Sequence, residues 1–327
     1  MLYRTLHNNS LMAFILVPFI LLLFWVRVFL FEGVQPISFD GIHMPLWEWL
    51  VRPVFGQSVF WAAVFSYILA VLTAFTVNRV VGRYGLLSKQ SVLPALIFGL
   101  LVSGFLSVQR LHMVWMFALF FLLGIERIMG APASSRKEVR CFDAGVLFGV
   151  GVLFYAKGVY LYPMIVVAMG VLRVLSVRSF IAVVLGLLLP FMLSAGYFFV
   201  FSSVEEFGVY FVLNLFSNTG QFGHNLVSQI YLPVVILVTL IGLITLVRYI
   251  PTQKIITRKH FRVVVWLILV SAALCLTPYF SVELTPIVAI GPSIVLAFWL
   301  DKMGAKFWRE FLIWFLVAGT AAVQILM

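Results

Sequence analysis

Residues 179–201 read SFIAVVLGLLLPFMLSAGYFFVF, a run without a charged side chain. An α-helix rises about 1.5 Å per residue, so a run of this length crosses the ~30 Å hydrocarbon core of a bilayer. Apolar and polar side chains do not alternate along it as they do in the strands of a membrane barrel. Similar runs recur along the chain, and the composition follows from them. Hydrophobic residues make up 64% of the 327 positions and charged residues 10%, against about 45–50% and about 25% in soluble domains. A water-soluble fold of this length has no interior large enough to hide that excess. The sequence predicts an all-α, polytopic integral membrane helical bundle.

Apolar runs of about 17–25 residues predict spans near 11–31, 57–78, 91–108, 111–129, 143–156, 158–172, 179–201, 226–247, 262–280, 284–300 and 307–326. Two of these divisions come from charge. Arg136, Lys137 and Arg140 precede residues 143–172, and Arg173 and Arg178 follow them. If both clusters lie on the cytoplasmic side, the chain crosses twice between them and turns at Lys157. Its legs are then only about 21 and 22 Å long, short of the hydrocarbon core, so the turn dips below the outer interface. The same reasoning turns residues 91–129 at Arg110, between Arg79, Arg83 and Lys89 on one side and Arg127 on the other.

With the N-terminus cytoplasmic, all 22 lysines and arginines except Arg27, Arg52, Arg110 and Lys157 fall on the cytoplasmic side. The reverse orientation would send most positive loops across the membrane. These loops account for the net charge of +11 without a nucleic-acid partner, because no soluble domain presents them. The N-terminal MLYRTLHNNS lacks a small-residue cleavage pattern, so the first apolar run is expected to stay as an anchor. Cys141 and Cys275 supply no disulfide framework. No repeat or linker is visible, and residues 1–327 read as one transmembrane domain with outer loops at 32–56 and 202–225.

The first outer loop holds Glu32, Asp40, His43, Glu48 and Arg52. Asp40-Gly41 marks a turn, and MPLWEWLVRP predicts a short amphipathic helix lying in the interface, with its tryptophans at headgroup depth. Glu48 and Arg52 stand four residues apart and are spaced to pair. The second loop carries Glu205 and Glu206 ahead of an aromatic run, and another interfacial piece is expected. Lys157, Arg110 and Arg27 are cations near the outer face, where charge is costly, and they are candidate lipid-phosphate contacts. For any single one of them, snorkelling to lipid phosphates or pairing with a loop carboxylate is the readier account. Asp40, His43, His224 and a loop glutamate lack compact ligand spacing, so neither a metal site nor a cofactor is expected. The glycines of GVLFGVG, inside a span, are expected to serve close helix packing.

FDAGVLFGVGVLFYAKGVYLYPMIVVAMGVLRVLSVRSFIAVVLGLLLPFML, together with MPLWEWL and SVLPALIFGLLVSGF, resembles an uncharacterised family of Bacteroidetes inner-membrane proteins over most of residues 10–200. That resemblance implies a bacterial inner (cytoplasmic) membrane location and no particular activity. More distantly, the first span, an acidic outer loop and the short hairpins resemble membrane glycosyltransferases of the GT-C type, which use polyprenyl-phosphate-linked sugars. This resemblance implies that Asp40, or Glu32, is the acidic catalytic residue, with Lys157 and Arg110 contacting phosphate. The chain departs from that pattern in having no adjacent acidic pair in its first loop and no soluble acceptor-binding domain.

Two functions follow as expectations. One is an enzyme acting on, or a protein binding, a lipid-linked glycan at the outer face of the membrane. The other is a non-catalytic subunit or scaffold of a cell-envelope complex, whose partners are other membrane subunits. An ion-coupled transporter ranks last, since the spans are nearly bare of ionisable residues and show no mirrored halves.

Overall fold

The computed structural model describes residues 11–30, 43–56, 58–216, 226–276, 281–304 and 306–326. Among the described residues all regular structure is helical. Helix α1 covers Leu11–Leu30, and a short helical segment through Trp47–Val51 continues into α2 at Arg52–Phe55. Next come α3 (Val59–Arg83), α4 (Leu93–Ser103), α5 (Leu106–Gln109), α6 (Met113–Gly130), α7 (Lys137–Phe154), α8 (Tyr162–Leu172) and α9 (Val177–Phe201). The chain continues through α10 (Val204–Phe216), α11 (Leu226–Tyr249), α12 (Ile255–Cys275), α13 (Thr285–Val288), α14 (Ile290–Lys302) and α15 (Lys306–Leu326).

Among the described residues, six helical stretches are long and apolar enough to cross a membrane: Met12–Leu30, Val59–Arg83, Met113–Ala133, Val177–Phe201, Ile230–Thr252 and Phe307–Leu326. Val282–Val288 and Ile290–Lys302, bent by 53° at their junction, make a seventh if they form one span. The chain is therefore a multi-pass helical membrane protein by length and composition. The remaining expected spans are helical too, but they differ in length or charge. Helices α4 and α8 have 11 residues each, too few for a full crossing. Helix α7 starts back in the charged loop and carries Lys137, Glu138, Arg140 and Asp143. Helix α12 carries Arg258, Lys259 and Arg262 in its first turns.

The chain divides into two compact units. One comprises Met1–Val34, Ala63–Arg110 and Gly220–Met327. At its centre lies α4, apolar all round as an interior helix must be, with every residue buried. It packs on α1, α14 and α15. Contact with α1 is close at Gly99, where an added Cβ would come within 2.3 Å of a Leu21 methyl.

Because α4 stops inside this packing, its last carbonyls need donors that water does not supply. Side chains supply them. Ser103 O accepts from the amides of Gln109 (3.0 Å) and Gln324 (2.7 Å), and Leu100 O lies 3.3 Å from the Thr320 hydroxyl. The two glutamines also donate to Phe24 O, each at 3.1 Å. Ser66, which accepts from Trp25 Nε1 at 3.4 Å, lies within 2.5 Å of Gln109 O. These residues form a buried polar node that ties α1, α3, α4, α5 and α15 together.

The second unit comprises Gln35–Ala62 and Leu111–Thr219. Its frame is α7 packed along α9 and α6. Helices α7 and α9 meet backbone to backbone. A Cβ on Gly145 would stand 2.2 Å from Val183 O, and one on Gly186 would stand 2.3 Å from Phe142 O. The GVLFGVG glycines thus serve close packing, as expected from their position. The break between α7 and α8 falls at a 3-10 turn, Ala156–Leu161, which includes Lys157. Helix α8 ends on Arg173 in the left-handed region (φ 58°, ψ 38°), with Val174 N donating to Met169 O at 3.0 Å. Ser176, extended, then caps α9 by accepting from Ser179 N at 3.2 Å.

Candidate functional site

Within the second unit, the segment from His43 to Phe55 folds back onto α9 and α10. Its helix begins where Met44 O accepts from Trp47 N (3.0 Å) and Glu48 N (3.2 Å), with Pro45 in the first turn where its missing N–H is harmless. Pro53 has no N–H to give Trp49 O. The turn before it widens, and Arg52 N bonds instead to Trp47 O five residues back.

Within this helix the expected pair forms. Arg52 Nη1 lies 2.8 Å from Glu48 Oε2, with roughly half of the arginine side chain exposed. The other carboxylate oxygen, Glu48 Oε1, is 3.8 Å from His43 Nδ1. That is too long for a hydrogen bond, and Oε1 is buried without a hydrogen-bond partner. His43 itself is buried and stacks on Trp47, with ring centroids 6.4 Å apart.

Aromatic rings anchor the helix. Trp49 packs against Tyr197 (4.3 Å) and Phe198 (5.5 Å) on α9. Phe198 in turn meets Phe207 (5.6 Å) and Tyr210 (5.9 Å) on α10. Beneath, Met44 joins Leu153 and Ala156 in a buried cluster flanked by Phe191, Phe207 and Phe211. Between the helix, α9 and α10 opens a cleft of about 360 Å³. His43, Pro45, Glu48, Trp49 and Arg52 of the helix segment line it together with Phe198 and Tyr210. It combines charge, an unmet acceptor and aromatic faces in one concavity, as small-molecule sites do.

The residues anticipated as functional are distributed differently. Asp40, Glu32 and His224 lie outside the described residues. Lys157 is buried, 6% exposed, in its 3-10 turn. Its neighbour Gly158 is pressed onto Phe117, where a Cβ would fall 2.2 Å from the ring. Ala156, on its other side, belongs to the cluster holding Met44.

Arg27 and Arg110 belong to the other unit, and both sit at the polar node. The Arg27 guanidinium donates to Gln324 O in the last turn of α15, where orphan carbonyls and the helix dipole favour a cation. Arg110 follows Gln109 and is half-buried. Burial lowers its pKa, and the nearby Glu283 carboxylate opposes that shift. Glu205 and Glu206 occupy the first turn of α10, a position that the helix dipole favours for carboxylates. Glu206 also accepts from the Ser202 hydroxyl.

Sequence reasoning identified the Glu48–Arg52 pair but missed Gln109 and Gln324. The signal was present: each is an uncharged polar residue embedded in apolar sequence, SVQR and AAVQIL, and such a residue needs partners inside the protein. Comparison of the chain with protein-family models, curated proteins and solved structures finds no match.

Proposed function

We propose that this chain binds a polyprenyl-phosphate-linked glycan at the outer face of a bacterial inner membrane. In this reading the protein has about eleven crossings, a cytoplasmic N-terminus and a scaffold of GT-C type, and it belongs with the Bacteroidetes family that it resembles. One observation carries the reading: the cleft that pairs Glu48 and Arg52 with Trp49 and Tyr210 on a short amphipathic helix. A sugar presents hydroxyls to a carboxylate and a guanidinium and its C–H faces to aromatic rings. An amphipathic helix with exposed Trp49 and Leu50 suits the headgroup depth at which a lipid-linked sugar presents its polar part.

Transfer of that sugar is the further step of the proposal. Asp40 would act as general base toward an acceptor hydroxyl, while Lys157 would offset charge on the phosphate. The test is binding of a polyprenyl-phosphate hexose to the full chain in lipid nanodiscs, followed by glycan transfer with Asp40→Asn. Saturable binding, with transfer abolished at unchanged membrane abundance, is expected. Absence of carrier binding overturns the proposal, and retained transfer overturns the role of Asp40.

A further inference from the structure

Resting on that reading, we infer that Glu48 is the sugar-recognising group of the cleft, and that the ligand it selects is an uncharged, hydroxyl-bearing sugar ring. One carboxylate oxygen, Oε2, is taken by Arg52 at 2.8 Å. The other, Oε1, is removed from solvent, has no hydrogen-bond partner and stands 3.8 Å from the nearest ring nitrogen of His43. A buried acceptor without a donor is unfavourable, and the imbalance disappears when a ligand brings an O–H to it.

The local charge decides which ligand that is. Arg52 pairs with Glu48 through Oε2, and the orphaned Oε1 calls for a hydrogen-bond donor, which a carboxylate does not offer. A uronic acid would set a second carboxylate against the first, and like charges at short range repel. A neutral hexose brings only hydroxyls. Trp49 and Tyr210 line the same cleft, and aromatic rings accept the C–H face of a sugar. The cleft of about 360 Å³ lies within the range of small-molecule sites, roughly 300–1,000 Å³. It takes a headgroup and leaves a long polyprenyl tail outside.

The test uses the full chain in nanodiscs with four probes: polyprenyl phosphate carrying a neutral hexose, the same carrier with a hexuronic acid, bare polyprenyl phosphate, and a free methyl hexoside. The neutral-hexose carrier is expected to bind about tenfold more tightly than the uronic or bare carriers, the scale of one hydrogen bond to a charged group. Glu48→Gln should erase that tenfold difference. Equal affinity for the neutral and uronic carriers in the unmodified protein overturns the inference, and this comparison needs no variant to fold. So does a Glu48→Gln protein that keeps the neutral preference. Binding of the free hexoside, lost in Glu48→Gln, without binding of any carrier would sink the lipid-linked reading and leave the sugar site standing. No binding by any probe overturns both.

Discussion

At the scale of single residues, the structure shows which positions work against their own chemistry. Arg173 holds a left-handed backbone at the end of α8, a conformation that costs a non-glycine residue about 1–2 kcal/mol. Arg173→Gly removes that strain but gives the unfolded chain extra freedom worth roughly 0.5–1 kcal/mol. The variant is expected to be stabilised by about 0.5–1 kcal/mol in reversible unfolding from micelles, and a loss of stability would mean that the guanidinium makes a contact worth more than the strain. Cys141, at the charged start of α7, is an opposite case. Burial pushes its thiol up to about 11, the Ser179 hydrogen bond opposes that shift and Glu138 adds to it. Thiolate is the reactive form, so at pH 8 maleimide should leave Cys141 unlabelled until detergent unfolds the protein. Rapid labelling of the native chain at that pH contradicts the buried, protonated thiol. Neither feature was legible beforehand. The Glu48–Arg52 pair was, because it depends only on a spacing of four. Tyr210 joins it across more than 150 residues of chain, and no local pattern announces that.

At the scale of elements, charge located the breaks more reliably than hydropathy measured the lengths. The turns expected at Lys157 and Arg110 coincide with the 3-10 turn Ala156–Leu161 and with the extended residue between α5 and α6. Hydropathy does not report whether an apolar run stays helical, so the early stop of α4 at Ser103 and the bend between α13 and α14 were not foreseen. An early stop leaves carbonyls that must be met, and Gln109 and Gln324 both donate to Ser103 O and Phe24 O. Each can partly cover for the other. Replacing either glutamine by leucine should therefore be milder than replacing both, with a coupling energy of about 1 kcal/mol or more in a double-mutant cycle. Simple additivity would show that the two amides act separately. Glycines offer a second contrast. Gly186→Ala sets a methyl 2.3 Å from Phe142 O, whereas Gly196 has no atom within 4 Å of an added Cβ. The first should destabilise by about 1–3 kcal/mol. The second should stabilise its helix by up to about 1 kcal/mol.

At the scale of the whole molecule, the governing property is how the chain is threaded through the bilayer. The helices show a multi-pass protein, while the direction of threading is argued from arginine and lysine alone. That argument has a sharp consequence. Ser135 lies between α6 and α7, amid Arg127, Arg136, Lys137 and Arg140, and Ser203 lies between α9 and α10. One full crossing, Val177–Phe201, together with the pair of short legs that turns at Lys157, separates them. If those legs form a true hairpin, Ser135 is cytoplasmic and Ser203 is outside. If α7 through α8 were instead a single crossing, Ser135 and Ser203 would share a compartment, and the cleft formed by α9, α10 and the His43–Phe55 helix would lose its expected side. Cysteines introduced at each position, in a chain whose Cys141 and Cys275 are replaced by serine, distinguish these cases. A membrane-impermeant maleimide added to spheroplasts should label Ser203→Cys and spare Ser135→Cys until the membrane is opened. Labelling of both from one side would remove the hairpin, and with it the outer-face location on which recognition of a lipid-linked sugar depends.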